Sequence, residues 1–318
     1  LHRRRHSFPT RRSSDLSITI DGGADNDILV TQNGFKASGP SGNGIVVQLG
    51  AGNDTLTASG NYTAASITID GGLDDDQVTT QSTLKLQAAT RFDLLLGEGA
   101  DTLTLSGTLG APIVVIDGGT GNDSVVSQDA LKLTASTQIT LVLNAGNDTL
   151  DASGSYTAPL IVFDGAAGND ELTLSAAVLN GPVSLLGSEG DDRLNVVAQT
   201  TRTLNQAFLV DGGAGSDTVT VTRGNALTDY VIKVSDSGTT GSDSLVVAGS
   251  AADIGFIDLD AAGQLAAVAV LHGQPDTVEH KPCGLLGDAN RAAEFVAAHA
   301  VLGVRDEPHG DKPLVDAE

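Results

Sequence analysis

The sequence predicts an all-β fold, a right-handed parallel β-helix (β-solenoid) of about ten coils of 22–27 residues, and three observations predict it. An aspartate closes a glycine-rich turn ten times, at Asp27, Asp54, Asp76, Asp101, Asp123, Asp148, Asp170, Asp192, Asp217 and Asp243. Successive intervals of 27, 22, 25, 22, 25, 22, 22, 25 and 26 residues fall in the range of solenoid repeats. Short β-branched apolar runs flank each turn, such as ITLVL before and ELTL after, with the composition and length of strands.

Taken in order, residues 1–16 stand apart. They hold five of the chain's eleven arginines. Residues 6–16, HSFPTRRSSDL, read as the in-frame translation of a common sequencing-adapter oligonucleotide, so the segment is set aside as non-native. It has no apolar centre of the kind an export signal needs.

The solenoid is expected over residues 17–260. SITI opens the first coil, and the turns follow as DGGADND, LGAGND, DGGLDDD, LGEGAD, DGGTGND, LNAGND, DGAAGND, GSEGDD, DGGAGSD and SGTTGSD. Glycine supplies the positive φ of a tight corner, and Asp or Asn closes it through its own backbone. Asp21, Asp70, Asp117, Asp164 and Asp211 precede alternate turn aspartates by six residues, where the intervening coils carry Gln48, Leu95, Val142 and Leu186. The repeating unit is therefore a pair of coils. These five aspartates are expected to form Asx turns, or to add a second ligand to alternate coils. Stretches such as QNGFKASGPSGNG and SGTLGAP are expected as loops bulging from the stack. Residues 261–318 are expected as a C-terminal cap or tail, with a short helix near 289–302 capped by Asp288.

Composition narrows the function. The formal net charge is -23, and residues 17–270 hold 27 Asp but only 3 Glu. A surface that merely solvates would use both acids, so the short carboxylate is selected for turns or ligation. Nucleic acid is not an expected partner, nor is an anionic membrane. No stretch has the apolar length of a membrane span. The lone Cys283 excludes an internal disulfide framework and a multi-cysteine metal site, and the spacings of His280, Cys283 and His299 match no familiar zinc pattern.

The turns resemble the calcium-binding nonapeptide repeats of secreted bacterial toxins and enzymes, pattern G-G-x-G-x-D-x-U-x with U a large apolar residue. GGTGNDSVV matches through Gly118, Gly119, Gly121, Asp123 and Val125, and GGAGSDTVT through Gly212, Gly213, Gly215, Asp217 and Val219. Elsewhere Asp25 and Asp74 replace the third glycine and Ala166 the second, and the leucine-first turns keep only Gly52, Asp54 and Leu56, or Gly146, Asp148 and Leu150. The resemblance implies calcium held between stacked turns by carbonyls and carboxylates, with the U residue in the core. The implied ligands are Asp25, Asp27, Asp54, Asp74, Asp76, Asp101, Asp123, Asp148, Asp170, Asp192 and Asp217, with the Gly119, Gly121, Gly213 and Gly215 turns. One motif per 22–27 residues, against one per nine in that family, confines a calcium ladder to a single edge.

Electrostatics leaves two readings open. Aspartates stacked at about 4.8 Å repel by roughly 0.9 kcal/mol per pair even in water. Calcium offsets that, and so do hydrogen bonds from turn amides to a metal-free row of corner-formers. Catalysis is not expected: the rod has no His or Cys, and its carboxylates recur evenly rather than breaking the repeat once. The expected role is a calcium-binding extracellular spacer or adhesion stalk of a larger secreted or surface protein, meeting cell-surface or matrix components. The alternatives are a β-helix polysaccharide lyase or hydrolase fragment, and a metal-free structural solenoid.

Overall fold

The computed structural model describes residues 17–32, 36–37, 43–198, 208–223, 232–238, 240–249, 257–261, 265–272 and 303–304. Residues 1–16 and the helix expected near 289–302 lie outside the described residues.

Every strand pairing is parallel, and the strands form two stacked sheets. One sheet has 14 strands and runs through Ile18–Ala24, Gly44–Ala51, Asn61–Leu73, Lys85–Glu98, Thr108–Thr120 and onward. The other stacks 11 short strands, among them Thr55–Ala58, Gln77–Thr80, Thr102–Leu105 and Ser124–Ser127. The chain alternates between them, and in two coils the larger sheet takes two strands, Ser155–Thr157 with Ile161–Ala167 and Val178–Asn180 with Val183–Glu189. The fold is thus the β-solenoid that the repeat predicts. Its coil count differs slightly from the ten expected, and Leu265–His272 stacks on Asp243–Gly249 beyond the last turn aspartate.

The period-2 pattern places the apolar side chains inside. Along Asn61–Leu73, Tyr62, Ile67 and Ile69 point inward. The residue two past each turn aspartate forms one core column: Leu56, Val78, Leu103, Val125, Leu150, Leu172, Leu194, Val219 and Leu245, all buried and stacked in register. Stacking like on like lets one aliphatic core run the length of the rod.

A third face replaces an expected loop. The larger sheet shifts register between Ala64 and Ser66, between Gln87 and Arg91, and between Ala135 and Gln138, and such irregularities bend a strand. The segments before these bends form their own inward column of Tyr62, Leu86, Leu109, Leu133, Tyr156 and Leu179. SGTLGAP is therefore largely strand, within Thr108–Thr120, and not a bulging loop. Leu109 and Ala111 alternate inward there, a pattern that the surrounding glycines and Pro112 mask in the sequence.

Candidate functional site: the aspartate ladder

Two residues in each of the first nine turns take the left-handed region. Four before the aspartate stand Gly23, Gly50, Gly72, Gly97, Gly119, Asn144, Ala166, Ser188 and Gly213, all at positive φ. Two before it stand Asp25, Gly52, Asp74, Gly99, Gly121, Gly146, Gly168, Gly190, Gly215 and Gly241, again at positive φ. At the second position glycine answers a packing demand as well. A Cβ on Gly121 would lie 1.8 Å from the Gly99 carbonyl oxygen, and one on Gly215 1.9 Å from that of Gly190. The turns stack backbone on backbone, joined by bonds such as Gly121 N–H to Ala145 O at 2.8 Å.

This geometry carries each turn aspartate inward. Asp54, Asp76, Asp101, Asp123, Asp148, Asp170, Asp192, Asp217 and Asp243 are between 1% and 5% exposed, and Asp27 in the first coil is half-buried. They are linked to one another. The amide of each donates to Oδ1 of the aspartate one coil on, from Asp27 to Asp54 at 2.6 Å, through Asp101 to Asp123 at 2.8 Å and Asp123 to Asp148 at 2.7 Å, to Asp217 and Asp243 at 2.8 Å. The bonds between, Asp54 to Asp76, Asp76 to Asp101 and Asp148 through Asp170 and Asp192 to Asp217, complete an unbroken chain.

A second row runs beside it with the opposite polarity. The residue before each aspartate is exposed, and in most coils its side-chain oxygen accepts from the amide one coil further on, an arrangement that Ala100, which has no such oxygen, interrupts. Asn53 N–H donates to Asn26, Ala100 to Asp75, Asn147 to Asn122, Asn169 to Asn147, Asp191 to Asn169 and Ser216 to Asp191. The recurring Asn-Asp pair is thus two hydrogen-bonded ladders.

The other carboxylate oxygen has no such partner. Oδ2 of Asp54, Asp76, Asp101, Asp123, Asp148, Asp170, Asp192, Asp217 and Asp243 is buried and unpaired. Where the column holds glycine it fills the space of a missing side chain: a Cβ on Gly71, Gly118, Gly165, Gly187 or Gly212 would sit 2.4–2.9 Å from Oδ2 of the aspartate five residues on. Burial pushes the Asp76, Asp123 and Asp192 carboxyls up to about 7, and those of Asp148 and Asp217 to about 6. The amide bond to Oδ1 opposes this shift, and carboxylates in adjacent coils add to it. Asp54, Asp101 and Asp170 shift upward for the same leading reason.

Against calcium, which wants six to eight oxygens, a regular level offers one free carboxylate oxygen, packed on a glycine or a leucine. Asp25 and Asp74 are exposed and occupy the place of a positive-φ glycine. Gly119, Gly121, Gly213 and Gly215 shape the backbone. Asp164 forms the expected Asx turn by accepting from Ala166 N–H at 3.0 Å, and it also accepts from Ser188 Oγ at 2.7 Å. Asp117 accepts from the Asn144 side chain and Asp211 from Ser237 N–H.

One level differs. Asp217, Asp236 and Asp243 each place a carboxylate oxygen within 4.8 Å of the others, the one such group among the described residues, and all three are buried. No protein-family model, curated protein or solved structure matches the chain. Asp236 is the residue that the sequence reading passed over. The signal for it is an acid in a position that other coils give to Gly or Leu, masked because it precedes its turn aspartate by seven residues rather than five.

Proposed function

We propose that the chain is a rigid spacer or adhesion stalk of a larger secreted or surface-exposed protein, related in its turn chemistry to the calcium-binding repeat proteins. The observation that supports this reading is the unbroken hydrogen-bonded ladder of turn aspartates along one edge, with a second, interrupted ladder beside it. The aspartate ladder ties each coil to the next at the same residue and repeats the same bond at every regular level. Such regularity suits a load-bearing rod on the order of 50 Å long at about 4.8 Å per strand. It suits an active site poorly, because catalysis concentrates perturbed groups in one cleft. The row of unpaired Oδ2 atoms supports a place for neutralisation, by protons along the regular levels and by calcium where carboxylates converge.

The test uses the full chain. Small-angle scattering should give an elongated particle at neutral pH, and acidic and neutral polysaccharides should remain intact on prolonged incubation. Turnover abolished by substituting the acids of a single coil would replace the spacer by a carbohydrate-active enzyme.

A further inference from the structure

The repeat is broken at one level. In the larger sheet, Asp211 pairs with Ser235, so the next inward position, Gly212 in one coil, is Asp236 in the following one. Both residues are buried. Elsewhere this column holds Gly71, Leu96, Gly118, Leu143, Gly165 and Gly187. At Gly212 the space is taken by Asp217 Oδ2, 2.5 Å from where a Cβ would stand. The following coil thus adds a third carboxylate beside two that the ladder has already brought together.

The hydrogen bonds leave these carboxylates underused. Asp192 N–H occupies Asp217 Oδ1, Asp217 N–H occupies Asp243 Oδ1, and Gly238 N–H occupies Asp236 Oδ1 at 3.1 Å. Asp217 Oδ2 and Asp243 Oδ2 are buried with no N–H or hydroxyl donor, and the only side chain in hydrogen-bond reach of Asp243 within the cluster is another acid, Asp236. Three acids this close repel strongly in a dry interior. From this convergence we infer that Asp217, Asp236 and Asp243 form a binding site for a single hard divalent cation of calcium size. An all-oxygen donor set disfavours zinc and copper, and a buried cluster suits magnesium, which dehydrates reluctantly, less well than calcium. The inference rests on the calcium part of the proposed function and deepens it by naming the level and the ligands, while the spacer role stands or falls separately, since a rod of any role would carry the site.

Equilibrium dialysis of the full chain with calcium alone, after chelator treatment, tests the assignment. It predicts one saturable calcium ion per chain and a calcium-dependent rise in unfolding temperature. Asp236→Asn should weaken binding on the order of tenfold or more, since loss of a ligand exceeds the loss of an outer partner. Asp236→Gly, which restores the residue of the Gly212 level, should do the same while keeping the metal-free circular dichroism spectrum. Asp151→Asn, removing an exposed acid, should leave binding unchanged. Absence of saturable binding would overturn the assignment, as would undiminished binding in both Asp236 variants. Saturation near one ion per turn, with none lost in those variants, would place calcium on the regular levels and overturn it too.

Discussion

A buried carboxylate with one oxygen bonded and the other bare is the basic unit of this rod, and its consequences follow from Asp123. Its Oδ1 accepts the Asp101 amide while Oδ2 lies against Gly118. Asp123→Ala should cost about 1–3 kcal/mol in urea unfolding, because the buried Asp101 N–H loses its acceptor. Asp123→Asn keeps an acceptor oxygen and removes the charge, so it should raise the unfolding temperature at pH 8 and flatten its dependence on pH. A drop at pH 8 equal to that of the alanine variant would show that the carboxylate is needed ionised. Glycine is as demanding at Gly121, where φ is 127° and the Gly99 carbonyl leaves no room for a Cβ. Gly121→Ala should therefore cost more than about 1–3 kcal/mol, the strain of a left-handed non-glycine residue alone. Gly110→Ala, whose added Cβ would meet only the Gln87 side chain at 3.4 Å, should fall within about 0.5 kcal/mol of wild type.

Between coils, hydroxyl clasps give the two-coil unit a physical basis. Thr31 pairs with Ser59 and Ser127 with Ser153 through both side chains, and Thr80 with Ser106 through the Thr80 hydroxyl, which bonds the Ser106 backbone inside the rod. Tyr62 reaches Thr31, and Tyr156 lies 2.6 Å from Ser127 while packing edge-on against Phe163. Tyr156→Phe should cost about 1 kcal/mol, read by thermal unfolding, since Ser127 keeps its bond to Ser153. The alternation of Asp-Gly-Gly and leucine-first turns showed in the sequence because the same glycine-rich motif recurs every 47–49 residues. The clasps did not, because their partners lie 26–28 residues apart among many other serines and threonines. The third face was masked for a different reason: in TLGAPI the inward pair Leu109 and Ala111 is too short and too rich in turn formers to register as a strand. The Asn-Asp pairs were visible as turn residues, but their ladders depend on which oxygen meets which amide one coil away. Asp236 needed the register of two coils before its place in the column could be seen.

Along the rod, nine buried carboxylates stack in one row, and their protonation sets how stability responds to pH. Burial raises the folded-state values of Asp76 and Asp123 to about 7, above the ordinary 3.8 of the unfolded chain. The folded state then binds more protons than the unfolded one. That contribution to stability is fully present below about 4 and is lost as pH rises through about 7. Most acid-denatured proteins show the reverse, so the direction is diagnostic. The most direct measurement is thermal unfolding of the full chain by far-UV circular dichroism in chelator, from pH 4 to pH 8, repeated with millimolar calcium. A hydrogen-bonded ladder of partly protonated aspartates, with one cation level, predicts a chain that is folded without metal, has a midpoint that falls as pH rises, and gains a single saturable increment from calcium at pH 8. A chain that is unfolded in chelator at pH 5, or whose metal-free midpoint climbs with pH, would contradict it.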